Sequence, residues 1–148
     1  MEPEVCPYAH DNGVVTHRVE ASAQTVVLGV VDGLNRGDWA AALHHVSADF
    51  EYDLTRTASP LQGIHSAAQM PRVLDEFLGS WESVRYEPRE FIESGACLVV
   101  PFATHFRGRD GIELTSEATW VWRIRRGSIE RLTLFQEREE ALATVRTA

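Results

Sequence analysis

The chain has 148 residues, 44% of them hydrophobic, and a formal net charge of −8. That length fits one domain around one core, and the acidic balance disfavours nucleic acid, whose phosphates need clustered positive charge. All 14 basic residues are arginine, so no lysine is present to form a Schiff base.

Residues 1–19 carry Pro3, Pro7 and Gly13 without periodicity and predict a loose arm ahead of a single domain over 20–148. The N-terminus has no basic region and no apolar stretch, so it does not read as a signal peptide. No apolar run reaches membrane-spanning length. Together these readings predict a cytoplasmic protein with no membrane partner. Cys6 and Cys97 have no partner at metal or redox-motif spacing, so neither a disulfide framework nor a metal is expected. Cys6, His10 and His17 match no metal-site spacing either.

Ser22 is a suitable N-cap for a helix over 23–35, with Val27, Val30, Val31 and Leu34 as its buried stripe. Asn35-Arg36-Gly37-Asp38 stops it, and Asp38 caps a second helix over 39–46. Alternation over 50–55 predicts the first strand. Pro60 and Gly63 mark a loop, and a third helix falls within 66–81, with Pro71 as its possible true start. Strands follow over 84–92, 97–107, 112–125 and 128–135, separated by glycine-bearing turns, and a short polar helix over 137–145 ends the chain. Helices first and an antiparallel meander afterwards predict an α+β domain whose curved sheet leaves a concave, partly apolar pocket.

Faces follow from alternation. On the 97–107 strand, Cys97, Val99, Pro101, Ala103, His105 and Arg107 share one side, and Leu98, Val100, Phe102, Thr104 and Phe106 the other. Both sides are largely apolar, so both should be covered, one by the helices and one by a second copy. The expectation is a homodimer lined by Leu98, Val100, Phe102 and Phe106. On the 112–125 strand, Ala118, Trp120, Trp122 and Ile124 share a face.

The order and spacing of several pieces resemble the nuclear transport factor 2-like superfamily, and within it the SnoaL-like (polyketide-cyclase-like) and ketosteroid-isomerase-like group. They are Leu34-Asn35-Arg36-Gly37-Asp38, Asp49-Phe50-Glu51-Tyr52-Asp53-Leu54, Gly63, Trp81 with Tyr86-Glu87-Pro88, the Ile92-Glu93-Ser94-Gly95 hairpin, and Trp122 to Ile129. The resemblance implies a cone-shaped α+β fold, often dimeric through its sheet. It does not fix an activity. Ketosteroid isomerases use a carboxylate base with a tyrosine and a protonated aspartate. Leu54, Val30 and Trp120 stand at those positions. Related epoxide hydrolases use an Asp-Arg-Asp set with a tyrosine and an asparagine. Tyr52 matches the tyrosine, but Leu54 stands at the asparagine, and Ala103, His105 and Thr133 stand at the charged positions. Both catalytic sets are absent.

If the family geometry carries over, the cavity face holds Tyr52, Leu54, Arg56, Ala103, His105, Arg107, Trp120, Trp122, Thr133 and Phe135. His105 is the acid/base candidate, because an imidazole exchanges a proton near neutral pH. Tyr52 could donate to a developing oxyanion. Arg56 and Arg107 could hold an anionic or carbonyl oxygen, and the tryptophans would wall an aromatic or polycyclic ligand. Each of these residues also has an ordinary packing or surface reading. Two functions stay open. One is a cofactor-free isomerase, cyclase or hydratase acting by proton transfer on a hydrophobic, carbonyl-bearing molecule. The other is a non-catalytic small-molecule-binding or accessory protein on the same fold.

Overall fold

The structure is a computed structural model, and it describes residues 13–57, 63–95 and 97–147. The elements are α1 (Gly13–Arg36), α2 (Trp39–Ala42), β1 (Val46–Asp53), β2 (Ile64–Ser66), a 3-10 turn (Ala67–Gln69) and α3 (Met70–Leu78). They continue as β3 (Ser83–Pro88), β4 (Ile92–Ser94), β5 (Cys97–Arg107), β6 (Glu113–Arg125), β7 (Ser128–Phe135) and α4 (Arg138–Thr147). The expected α+β architecture is present. The bounds of β5 and β7 agree with the turns that flank them in the sequence.

Three differences concern the first half. Helix α1 begins at Gly13, so Ser22 lies inside it rather than capping it. Residues 13–19, expected in the arm, are helical, and residues 1–12 lie outside the described residues. Helix α2 stops at Ala42 because Leu43 already leaves helical geometry. The added strand β2 pairs antiparallel with β1. Local chemistry explains the α1–α2 corner. Gly37 takes a φ of 70°, which ends α1 at little steric cost. The Asp38 amide then bonds the Gly33 carbonyl at 2.9 Å, and its carboxylate accepts from the Ala41 amide at 3.1 Å.

The sheet order is β2-β1-β7-β6-β5-β3, with β4 pairing to β5 off this path. All neighbours are antiparallel except β1 and β7, which run parallel. Arg131 on β7 ties that parallel pair from the side, donating to Glu51 and, at 2.7 Å, to Asp53. Helices α1, α2 and α3 cover the concave face around Val27, Phe50, Leu98, Val100, Trp120 and Trp122. Helix α4 covers part of the convex face, where Ala141, Leu142 and Val145 meet Cys97, Val99, Val121 and Phe135. The two apolar sides of β5 are therefore both covered within one chain. Leu98, Val100 and Phe102 are buried inward, not on an outer dimer face, and Phe106 faces inward with them.

Cys97 is disulfide-bonded, against the expectation that no disulfide forms. The other cysteine of the sequence, Cys6, lies outside the described residues. Two cysteines so far apart in sequence carry no spacing signal, and only the fold decides whether their Cα atoms can approach.

Asp53 makes the β1–β7 join sensitive to acid. Burial alone would raise its carboxyl, but the Thr55 hydroxyl and amide and the Arg131 guanidinium outweigh it and hold the group below the usual carboxylate range. A depressed folded value contributes stability above the unfolded value, near pH 4, which is lost as pH falls through the folded one. Thermal unfolding followed from pH 6 down to pH 2 should show a shallower acid loss in Asp53→Asn than in the parent. Identical slopes would mean that Asp53 carries none of it.

Candidate ligand cavity

The concave face and its three helices enclose a cavity of about 370 Å³, within the range of small-molecule sites. Strand alternation supplies its floor. β1 contributes Phe50 and Tyr52, β5 contributes Phe102, Thr104 and Phe106, and β6 contributes Ser116, Ala118, Trp120 and Trp122. The roof comes from Val30 and Leu34 of α1 and from Met70, Leu74 and Phe77 of α3. Trp120 lies flat on Phe102, with ring centroids 3.6 Å apart and planes 12° from parallel. Trp122 meets Trp120 edge-on at 5.3 Å. These rings form a rigid flat wall, the shape that accepts another aromatic face.

The polar groups on this surface are few and neutral: the hydroxyls of Tyr52, Thr57, Tyr86, Thr104 and Ser116, the Gln136 amide and the indole nitrogens. The Thr57 hydroxyl is spent on the Leu54 carbonyl at 3.0 Å. Burial pushes the Tyr52 hydroxyl up to about 12, against the opposing hydrogen bond from Trp120. An indole can only donate, so Trp120 donates and the Tyr52 proton stays available. Burial, then the neighbouring Tyr52, pushes the Tyr86 hydroxyl up as well. The Trp122 indole N–H is buried without an acceptor among the described residues. No Asp, Glu, His, Arg or Cys stands among the described residues that line the cavity.

The expected site residues divide into three groups. Tyr52, Leu54, Trp120 and Trp122 line the cavity. Arg56, Thr133 and Phe135 line a smaller hollow of about 170 Å³ beside Asp53, Cys97 and Thr144 of α4. There Arg56 lies 5.1 Å over the Phe135 ring and 3.5 Å from Glu140. Ala103, His105 and Arg107 occupy the side of β5 turned away from the cavity.

The placement of His105 in the cavity is thus corrected. Its Nε2 lies 2.8 Å from Glu87 and its Nδ1 lies 3.2 Å from the Thr115 hydroxyl. Both partners stand beside it on neighbouring strands of the outer face. Arg107 is paired there with Glu113 at 2.6 Å. The physical reason is the pleat. Thr104 and Phe106 point inward, so Ala103, His105 and Arg107 point outward. His105→Ala should leave ligand affinity within about twofold of the parent, since surface changes away from a site seldom exceed ±0.5 kcal/mol. Titration of both proteins with one ligand checks this.

Sequence reasoning missed the inward roles of Phe102, Thr104, Phe106, Ser116 and Tyr86. The usable signal was the β5–β6 hairpin. Its turn pairs Arg107 with Glu113, which brings Val100 opposite Trp120 and Leu98 opposite Trp122. Directly paired residues share a face. Inward tryptophans therefore require the even-numbered residues of β5 to point inward.

Comparison with known proteins agrees with this architecture. The family model for the SnoaL-like domain matches residues 27–132. The structure is similar to that of TerC co-crystallized with polyporic acid, at TM-score 0.70 and 20% identity, covering 85% of this chain and 99% of that one. It is similar to an NTF2-like protein of unknown function from Burkholderia pseudomallei, at TM-score 0.70 and 22% identity, covering 86% and 98%. A candidate polyketide cyclase from Xanthomonas campestris pv. campestris matches at TM-score 0.64 and 20% identity, covering 86% and 98%. At such identities the likeness concerns the fold. No curated protein matches the sequence.

Proposed function

The chain belongs to the SnoaL-like domain family of the NTF2-like superfamily, and from that premise we propose that its cavity binds an uncharged, flat, mainly apolar small molecule bearing a carbonyl group. The observation that carries this reading is the lining itself. It offers aromatic faces, hydroxyls and indole donors and, among the described residues, none that ionises near neutral pH. An unpaired charge buried there would cost several kcal/mol, so a neutral ligand is favoured. TerC, whose fold is similar, was crystallised with polyporic acid, which supports a small-molecule role for this cavity.

The same lining favours one of the two functions left open by the sequence. Isomerisation, cyclisation or hydration by proton transfer needs a group that accepts a proton within reach of the substrate. The tyrosines are held in their protonated form, and His105 lies on the far face. Binding without acid/base catalysis is therefore the reading we favour. One observation keeps an enzymatic role in view, the likeness to a candidate polyketide cyclase. Under that reading Tyr52 would donate to an oxygen that gains charge, and the substrate itself or solvent would take the proton. Among the described residues no helix is long and apolar enough to cross a membrane.

Titration of the intrinsic tryptophan fluorescence tests the proposal, because Trp120 and Trp122 both line the cavity. 2-Acetylnaphthalene should quench it saturably. 2-Naphthoate, flat but anionic, should bind at least about 100-fold more weakly, the factor expected for a buried unpaired carboxylate. Equal or tighter binding of the anion would overturn the reading.

Self-association belongs to the same proposal. The surface two copies would share is the outer face of β3, β5 and β6 beyond α4, around His105 and Thr115. Sedimentation at micromolar concentration reads it directly. A monomer there removes it without touching the cavity.

A further inference from the structure

We infer that the mouth of the cavity continues as an apolar ledge on the tip of the β5–β6 hairpin, and that this ledge is a subsite for an unbranched alkyl tail carried by the molecule in the cavity. The inference rests on the cavity reading above and adds a second part to the ligand, one that lies outside the cavity.

The inward side of β6 leaves the interior in steps. Trp122 and Trp120 are buried, Ala118 is half-buried, and Ser116 is exposed although it still lines the cavity. Leu114 follows on the same side and is 52% exposed. Ile112, two positions nearer the tip, is 66% exposed. The opening has its cause in the register. The last pair between β6 and β7 is Thr119 with Phe135, so residues 113–118 run past the end of β7 with only β5 beside them. The charged side chains of this stretch, Glu113 and Glu117, alternate onto the opposite side.

Leu114 is continuous with the cavity floor. It pairs directly with Phe106, and paired residues share a face. Phe106 lines the cavity and meets the Trp81 ring at 4.6 Å and the Phe77 ring edge-on at 6.0 Å. On its other edge it pairs with Val84. The tip is held in place, since Arg109 in the turn donates to the Gly79 carbonyl behind α3 at 2.7 Å. Size and position decide what such a strip takes. A second copy of the chain needs about 800 Å² from each partner, far more than Leu114, Ile112 and the edges of two half-buried rings supply. A tail needs only the width of one alkyl chain. A ligand seated against Trp120 and Phe102 delivers it there, because floor and ledge share Phe106. Each methylene laid on the ledge loses contact with water on one side.

The test compares prodan with laurdan, the same neutral, flat aryl ketone bearing a propanoyl or a dodecanoyl tail. Both change emission in apolar surroundings, so each can be titrated with protein at probe concentrations below aggregation. The parent should bind laurdan at least about 100-fold more tightly than prodan, since many half-covered methylenes add up. Leu114→Ser, at an exposed position, should cut that ratio about tenfold, and Leu114→Met, which keeps the apolar surface, should retain it. Equal affinities in the parent, or a ratio that Leu114→Ser leaves intact, would overturn the ledge, while saturable prodan binding kept the cavity reading standing. A fall in the ratio accompanied by conversion of a dimer to a monomer in sedimentation would assign the strip to a second copy and overturn the tail subsite. Failure of both probes to give a saturable change would overturn the cavity reading and the ledge with it.

Discussion

Replacing Trp120 with alanine is expected to lower the free energy of unfolding by about 3–5 kcal/mol, the usual cost of truncating a buried large aromatic side chain. Trp120 is 2% exposed. It stacks on Phe102, meets Trp122 and Tyr86, and donates its indole proton to Tyr52. Removal would take away the flat wall and the partner that holds the Tyr52 hydroxyl in place. Domains of this kind have about 5–15 kcal/mol in total, so the variant should fold but with little margin. Urea unfolding of Trp120→Ala and Trp120→Phe would separate the two roles. The phenylalanine variant should recover most of the stability while losing the indole donor. A loss under about 1 kcal/mol in Trp120→Ala would mean that the wall is not packed as described.

The second large effect is expected at Gly33, where α1 crosses α2. A Cβ there would lie 2.6 Å from the Ala42 nitrogen and 2.8 Å from its Cα. Both are backbone atoms and cannot turn aside. Gly33→Ala would gain up to about 1 kcal/mol of helix propensity. Forcing the two backbones apart costs about 1–3 kcal/mol, so the net sign should be destabilising. Gly33→Val adds bulk and loses most of the propensity gain, so it should cost more than alanine. The same shift would move Val30, Leu34 and Ala42, which all line the cavity, and ligand affinity should fall with stability. A midpoint for Gly33→Ala at or above that of the parent would show that the crossing has slack.

The sequence carried the elements well where turn chemistry is explicit. Glycine-bearing turns bound β5, β6 and β7, and the Leu34 to Asp38 corner carries both a helix stop and a cap. It carried the inward placement of Tyr52 and Leu54 too. It failed where alternation is uninformative. Cys97, Val99, Pro101 and Ala103 are nearly as apolar as Leu98, Val100 and Phe102; α4 buries Cys97 and Val99, and the helical layer buries the other side. Hydrophobic pattern alone cannot choose between two buried faces. The inward set then came from superimposing a family pattern whose catalytic positions this chain does not keep, and that carried His105 with it. On β7 the same superposition placed Thr133 and Phe135 inward. The parallel register, with Tyr52 beside Leu132 and Asp53 beside Thr133, turns them toward Arg131 and α4. Parallel partners far apart in the chain leave no local mark. The small lining residues Thr104, Ser116 and Ala118 carry no chemical signature and become a surface only when the strands are in register.

That parallel join also sets an order of events during synthesis. Strand β1 is made early, but the neighbour that completes its pairing, β7, is made after every other strand of this sheet. Until then the edge of β1 opposite β2 is open to another chain, a liability for any unpaired strand. Contacts so distant in sequence also slow the search for the native state. The domain should therefore reach its native state only once β7 has been made, rather than piece by piece. The cavity, which takes Tyr52 from one partner and Leu132 and Leu134 from the other, should be among the last features to exist. A ligand would then recognise only the finished molecule, and nascent chains truncated before β7 should not bind it.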